Sequence, residues 1–514
     1  MSDAPTPSLT ALMDAAASAF DAGDLERAQP LFRRIVALNP RDAEAWHMVA
    51  VIAVRQGRAA EAVDAATRAW QLDRHNAFYL NTLGIAHGEM LQLEEAARWL
   101  KRALKERPGY AQAHYNLGKV YRKLGELPEA ERCYLRARQL DPGKTQAENN
   151  LGALYSRQGR YRDALPFLAE ARAATPDDET VAINIAIALL ATSGADVAIR
   201  ELSAFAQSHP DAAAVHAELG RLLLAEGRFA EGWHEYAWRN RRAPLPVPDI
   251  TAKRVQLLPD QGLGDHLFFL RFAAKLRARA AHVAFACPAK LRGLLEGNPV
   301  LDDLHDAANF DVAMPLGDLP RVLGEAGTPP PLPVRVEAVR VAAWRERLIA
   351  LGPPPYLGVT WRAGAARGDG AEFAARGEDP LSKEIDLGTL ACAVSNWQGT
   401  LLILQRLPVR GEKDSFCKAL GRRAHDLSAA NDDLGDMAAL LSLIDEYVGV
   451  SNTNMHIRAG VGKTARVLVP YPPEFRWMLV GDEVPWFPRF RVYRQSPAHD
   501  WKAALQPLRV ELSG

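Results

Sequence analysis

A step of 34 residues runs through the first 242 positions of this chain, and no other feature restricts its fold so tightly. From Ala28 the step lands on Ala62, Ala96, Ala130, Ala164, Ala198 and Gly232; from Ala16 it lands on Ala50, Gly84, Gly118, Gly152, Ala186 and Gly220. A third series, Pro40, Pro108, Pro142, Pro176 and Pro210, closes the units, with Arg74 as the exception. Two out-of-phase ladders of small residues in one period call for two helices per unit that approach closely. Proline, which has no N–H to donate, stops the second helix before the next unit begins. Large residues between the ladders, among them Phe32, Trp46, Leu83, Leu117, Tyr121, Tyr134, Leu151 and Tyr155, fill the remaining space.

The pattern resembles the tetratricopeptide repeat (TPR) family, and about seven units fit within residues 9–242. The expectation is an all-α TPR solenoid, whose stacked hairpins share one continuous core and leave an extended groove for a polypeptide. A passive spacer, or an arm through which two copies form a homodimer, is the alternative. Asn116, Asn150 and Asn184 recur at the same period, two positions before a small residue. An amide both donates and accepts, so this column is a candidate for holding an extended peptide backbone. A similar asparagine ladder lines the TPR groove of eukaryotic O-GlcNAc transferases. The bland reading, a polar residue tolerated on a solvated face, stays open.

The length of 514 residues implies about three folded units. With 62 Lys+Arg against 62 Asp+Glu there is no bulk attraction to phosphate backbones, so nucleic acid is not an expected partner. Cys133, Cys287, Cys392 and Cys417 form no CxxC pair, which points to reduced thiols and a cytoplasmic location. No run of about 18 apolar residues is present, so no membrane span is expected.

The period ends before 243–251, where three prolines mark an extended linker. Beyond it, short apolar runs at 255–258, 282–287, 311–316, 356–361, 400–407, 446–451 and 465–471 read as strands. Helical stretches at 266–278, 289–296, 319–324, 387–394, 414–420 and 434–444 alternate with them. This order predicts parallel sheets with helices on both faces, in two Rossmann-like lobes over 252–345 and 356–510, joined by Pro-rich segments at 329–333 and 353–355. Ligands of open α/β sheets bind at the carboxyl ends of the strands, so chemistry is expected in a cleft there.

Three stretches fall at such strand ends. Gln261-Gly262-Leu263-Gly264-Asp265-His266 follows the first strand. Its glycines permit a tight turn, and Asp265 is either a general base or a helix cap. It is not a dinucleotide fingerprint, because Leu267 replaces the third glycine. In the second lobe, Arg362 and Lys383 flank a Gly- and charge-rich loop and are candidates for gripping a diphosphate, with the loop expected to order over a ligand. The third stretch, Val448-Gly-Val-Ser-Asn-Thr-Asn-Met-His456, runs from a strand into a helix, where Ser451, Asn452, Thr453 and Asn454 either bind phosphate or cap the helix. Gly462-Lys463-Thr464 is not a P-loop: it follows a helix, and Ile457 stands where the leading glycine is required. His234-Glu235 is not a zincin motif, since Trp238 replaces the second histidine.

These sites, together with Glu474-Phe-Arg-Trp-Met478, Pro485-Trp-Phe-Pro488 and Tyr493-Arg-Gln495, resemble the GT-B glycosyltransferases. The similarity is to bacterial TPR-linked enzymes related to heptosyltransferases and O-GlcNAc transferase, over about residues 252–510. The resemblance implies a GT-B fold and a metal-independent, inverting transfer from a nucleotide-sugar to a Ser/Thr hydroxyl of an acceptor protein, with flagellin as one candidate. It assigns Asp265 as catalytic base beside His266, and donor contacts to Gly262, Gly264, Arg362, Lys383, Ser451, Asn452, Thr453, Asn454 and His456. Ser451 departs from the aspartate of the heptosyltransferase phosphate loop. No two Asp stand two apart, so no DxD metal site and no cofactor are expected. Two further readings stay open: a non-catalytic TPR adaptor with a degenerate GT-B half, and a transferase acting on lipopolysaccharide or another glycan.

Overall fold

Small side chains at period 34 do build helix hairpins. The computed structural model describes residues 8–143, 146–240, 242–305, 309–363 and 383–513, which fall into two compact units, Met1–Asn184 and Ile185–Gly514.

The first unit comprises α1 (Leu9–Asp21), α2 (Leu25–Leu38), α3 (Ala43–Arg55), α4 (Ala59–Leu72), α5 (Ala77–Glu89), α6 (Leu93–Glu106), α7 (Ala111–Leu124), α8 (Leu127–Leu140), α9 (Gln146–Arg157), α10 (Tyr161–Ala174) and the start of α11 (Glu179–Ser193). The ladder of alanines from Ala28 to Ala164 is completely buried. The second ladder sits where paired helices touch: a Cβ on Gly84 would stand 2.5 Å from Leu100 Cγ, and one on Gly118 would stand 2.7 Å from the Tyr134 ring. Turns between paired helices use glycine where φ is positive, as at Gly125 (φ 81°), which caps α7 in the left-handed conformation.

The second unit begins with the rest of α11, then α12 (Ala195–Ser208), α13 (Ala213–Ala225) and α14 (Phe229–Tyr236). A three-stranded parallel sheet follows, of β1 (Arg254–Leu258), β2 (His282–Phe285) and β3 (Val312–Pro315) in the order β2-β1-β3. Its helices are α15 (Leu263–Phe269), α16 (Ala273–Arg277), α17 (Ala289–Leu295) and α18 (Leu319–Leu323). After α19 (Ala338–Leu351) comes a second parallel sheet of β4 (Tyr356–Thr360), β5 (Thr400–Ile403), β6 (His425–Asp426), β7 (Glu446–Val450), β8 (Arg466–Val469) and β9 (Arg491–Arg494). The helices here are α20 (Leu387–Val394), α21 (Glu412–Leu420), α22 (Leu434–Leu443), α23 (Thr453–Gly460) and α24 (Lys502–Glu511).

The order β6-β5-β4-β7-β8-β9 reverses between β4 and β7. That is the doubly wound arrangement, in which the reversal opens a crevice at the strand carboxyl ends. The register of β4 against β7, Leu357 opposite Glu446 through Thr360 opposite Gly449, places the ends of both strands side by side.

Three features differ from the sequence expectation. β6 and β9 were not anticipated, and α19 occupies part of what read as a Pro-rich connection. This helix buries Trp344 and Leu348 and packs on α22, where the Arg340 guanidinium bonds Asp436 at 2.6 Å and Asp433 at 3.0 Å. The compact units divide within α11 and not in the Pro-rich segment 243–251. Ile250 of that segment is fully buried in the core of the second unit, together with Trp233 and Tyr236 of α14. Among the described residues, no helix is long and apolar enough to cross a membrane, and no group of three His, Cys, Asp or Glu is placed to hold a metal ion. All four cysteines are free thiols.

Candidate functional site

The carboxyl end of β1 turns through Gly262 into α15. The Gly262 N–H donates to Asp265 Oδ2 at 3.0 Å, so the aspartate caps its own helix with one oxygen. Its other oxygen, Oδ1, is ion-paired with the Arg476 guanidinium. Gly264 is where α15 meets α23: a Cβ there would lie 3.2 Å from His456 Cδ2 and 3.5 Å from Thr453 Cα. A side chain there would press on the His456 ring, so the small residue suits the close approach of the two helix starts.

Arg476 follows β8 and continues the network. Its Nη1 lies 3.4 Å from Glu474 Oε2, which also accepts a hydrogen bond from Ser451 Oγ at 3.0 Å. Glu474 Oε1 is ion-paired with Lys383 Nζ. Asp265 of α15, Lys383 ahead of α20 and Ser451 just after β7 are thus joined through two residues to which the sequence reading gave no role. Burial works to raise the Glu474 carboxyl, but Lys383 and Arg476 outweigh it and hold it below the usual carboxylate range. Burial likewise opposes the Arg476 charge, and Asp265 and Glu474 outweigh it.

His456 is buried on α23, edge-on to Phe268 and Phe487, and its Nδ1 has no hydrogen-bond partner. Desolvation, followed by Arg476, Arg271 and Lys383, lowers its pKa well below the usual value, so the ring is neutral. Arg271 is buried beneath it, donating to Phe268 O at 3.0 Å and Trp486 O at 2.7 Å while lying over the Phe268 ring.

Of the remaining expected donor contacts, Arg362, Asn452 and Asn454 are engaged within the protein. The Arg362 side chain is 6% exposed, forms an ion pair with Glu412 and donates to Leu407 O at 3.2 Å. Its charge is thus compensated by Glu412. Asn452 caps α23, accepting from Asn454 N–H at 3.0 Å, and donates to Thr360 Oγ1 at 2.9 Å. Asn454 is buried and donates to Asn431 Oδ1 at 3.3 Å. Thr453 is the first residue of α23. His266 is buried, with Nε2 accepting from the Asp260 N–H at 3.3 Å. The loop expected to order over a ligand, at 364–382, lies outside the described residues.

A second set of contacts fixes the site from behind. Tyr236 of α14 and Gln261 exchange hydrogen bonds at 3.0 and 3.3 Å, and Arg239 pairs with Asp260 and, at 2.6 Å, with Asp318. Phe475, between Glu474 and Arg476, packs edge-on against Trp233 at 5.7 Å and Tyr236 at 5.4 Å. No periodic signal singles out these residues; only tertiary packing shows their use.

In the repeats, the asparagine column couples successive hairpins. Nδ2 of Asn116 donates to Asn81 Oδ1 at 2.9 Å, Asn150 to the Tyr115 hydroxyl at 3.1 Å, and Asn184 to Asn149 Oδ1 at 2.8 Å. Each bond reaches the equivalent helix of the preceding repeat. Asn116 is buried, whereas Asn150 and Asn184 keep partial exposure.

Comparison with known proteins bears on the helical half above all. Residues 13–77, 109–177 and 183–236 match tetratricopeptide repeat families, and 92–125 match a further TPR repeat family. Protein FlbA of Caulobacter vibrioides is 24% identical over 529 aligned positions, spanning 94% of this chain and 86% of that protein. A thermophilic TPR protein from Thermus thermophilus is 26% identical and superposes with a TM-score of 0.33, covering 36% of this chain and all of that one. The crystal structure of MamA is 24% identical with a TM-score of 0.29, over 32% of this chain and 96% of that chain. The chain therefore carries tetratricopeptide repeats followed by parallel α/β sheets.

Proposed function

We propose that the α/β part is a metal-independent GT-B glycosyltransferase that moves a sugar from a nucleotide-sugar donor to a Ser/Thr hydroxyl of a protein bound by the repeats. One observation carries this reading: Asp265, Lys383 and Ser451, from three separate segments of the α/β part, are linked through Glu474 and Arg476. A crevice at the sheet reversal, with a lysine, an arginine and the start of α23 around it, suits a diphosphate.

In the proposed reaction the acceptor hydroxyl oxygen attacks the anomeric carbon as the bond from that carbon to the phosphate oxygen breaks. Asp265 takes the hydroxyl proton, and Lys383 and Arg476 receive the charge that develops on the leaving diphosphate. Transfer of Arg476 from Asp265 to the diphosphate would free Oδ1 of Asp265 to accept the hydroxyl proton as the donor binds. The half-buried members of the asparagine column, Asn150 and Asn184, donate through Nδ2 and leave side-chain carbonyl oxygens suited to a peptide backbone.

The test is a panel of UDP, GDP, CMP and dTDP sugars, read by melting temperature and by nucleotide release. A true donor raises the melting temperature, and Asp265→Ala should retain that shift while lowering turnover by about 10²–10⁴-fold. Turnover unaffected by Asp265→Ala, or no donor that either binds or reacts, overturns the proposal. A second reading, a protein-binding TPR adaptor, is favoured by the internal pairing of Asp265 with Arg476 and of Lys383 with Glu474; it predicts no nucleotide release with any donor.

A further inference from the structure

The four charged groups of the site are arranged as a closed internal salt. Lys383 and Arg476 are cations on either side of Glu474, and Asp265 closes the far side of Arg476. Both Glu474 oxygens are occupied, Oε1 by Lys383 and Oε2 by Ser451 and Arg476. Its side chain is 15% exposed, against 35% for Lys383 and 8% for Arg476, so the carboxylate fills the space between the two cations at the carboxyl ends of β4 and β7. A second anion cannot enter that space while Glu474 remains bonded to both: it would meet a carboxylate already holding the donors it needs, within a partly desolvated site where like charges repel strongly.

We propose that Glu474 is a resident counter-ion standing where a ligand's diphosphate belongs, so that binding requires its carboxylate to leave Lys383. This rests on the anion site described under Proposed function and adds a selection rule to it. A ligand must carry enough charge at two neighbouring centres to replace one carboxylate at both Lys383 and Arg476. A diphosphate meets that requirement, and a single carboxylate or an uncharged sugar does not. Glu474 is in this sense a specificity-determining residue: it keeps the site neutral when empty and discriminates against weak anions.

The experiment is calorimetric titration of the full chain with inorganic pyrophosphate and with inorganic phosphate, for the wild type, Glu474→Gln and Lys383→Ala. Removing the competing charge while keeping the side-chain shape should tighten pyrophosphate binding by at least about tenfold, and should narrow the preference for pyrophosphate over phosphate. Lys383→Ala should lose binding. Pyrophosphate affinity that Glu474→Gln leaves unchanged or weakens, while Lys383→Ala abolishes it, overturns the counter-ion role alone. Absence of binding by wild type and Glu474→Gln alike overturns the anion site and this inference together. Should Glu474→Gln fail to fold, Glu474→Asp, too short to span both cations, carries the same expectation: tighter pyrophosphate binding supports the role, and unchanged or weaker binding refutes it.

Discussion

At His456 an imidazole is buried against Phe268 and Phe487, with Arg476, Arg271 and Lys383 as its charged neighbours and no partner for Nδ1. The folded protein resists protonating this ring, whereas the unfolded chain protonates it near pH 6.5. Below that pH the unfolded state binds the extra proton, so the stability present above pH 6.5 is lost as pH falls. The loss reaches at most about 1.4 kcal/mol per pH unit. Urea unfolding at pH 7 and pH 5 should show a smaller drop for His456→Asn than for wild type; parallel drops would refute the neutral buried ring. Asp265 and Ser451 were legible as candidates because each lies shortly after an apolar strand, and Lys383 because it closes the Gly- and charge-rich loop. Glu474 and Arg476 were not, since their segment has no periodicity and their pairing arises only when β8 is set beside β7. Asn452 and Asn454 show the opposite difficulty. Amides after a strand read as ligand donors, and their hydrogen bonds to Thr360 and Asn431 depend on other parts of the chain.

Within a hairpin, the fit of two helices depends on single methyl groups. A Cβ at Gly118 would stand 2.7 Å from the Tyr134 ring, while one at Gly109 meets nothing nearer than Leu140 Cδ2 at 4.0 Å. Gly118→Val should therefore cost about 1–3 kcal/mol in chemical denaturation, and Gly109→Ala should change stability little. Equal effects would mean that the small-residue ladder does not set the helix spacing. The hairpins were readable because a 34-residue period repeats one packing solution many times. β6, of two residues, carries too few side chains to show alternation, and β9 lies among prolines and aromatics that mask it. α19 was hidden between two Pro-rich stretches, although its Trp344 and Leu348 share a helical face.

For the molecule as a whole, the sequence period and the packing place a boundary differently. Residues 213–240 continue the helical repeat, yet Trp233 packs on Phe269, Phe272, Phe475 and Trp486, and Arg239 is buried against Asp260. Removing one buried Trp costs about 3–5 kcal/mol, a large part of the stability of a typical domain. A chain comprising residues 179–514 should unfold in one cooperative thermal transition, whereas one comprising 243–514 should show none. If the shorter chain melted at the same temperature, the packing of α14 would not be structural. The linker prolines advertised a break because proline density is visible locally, while the burial of Ile250 is not.

Fastening the last hairpin in this way also limits how such a chain can vary between relatives. Upstream hairpins repeat the same internal contacts, so whole pairs can be gained or lost in steps of 34 residues, lengthening or shortening the helical array. The pair at 213–236 is exempt from that freedom: its outer face is already fitted to one set of sheets, and any substitute would have to supply the same tryptophan, tyrosine and arginine. Length is therefore adjustable among the upstream hairpins, while the last pair is held by its packing in the core of the second unit.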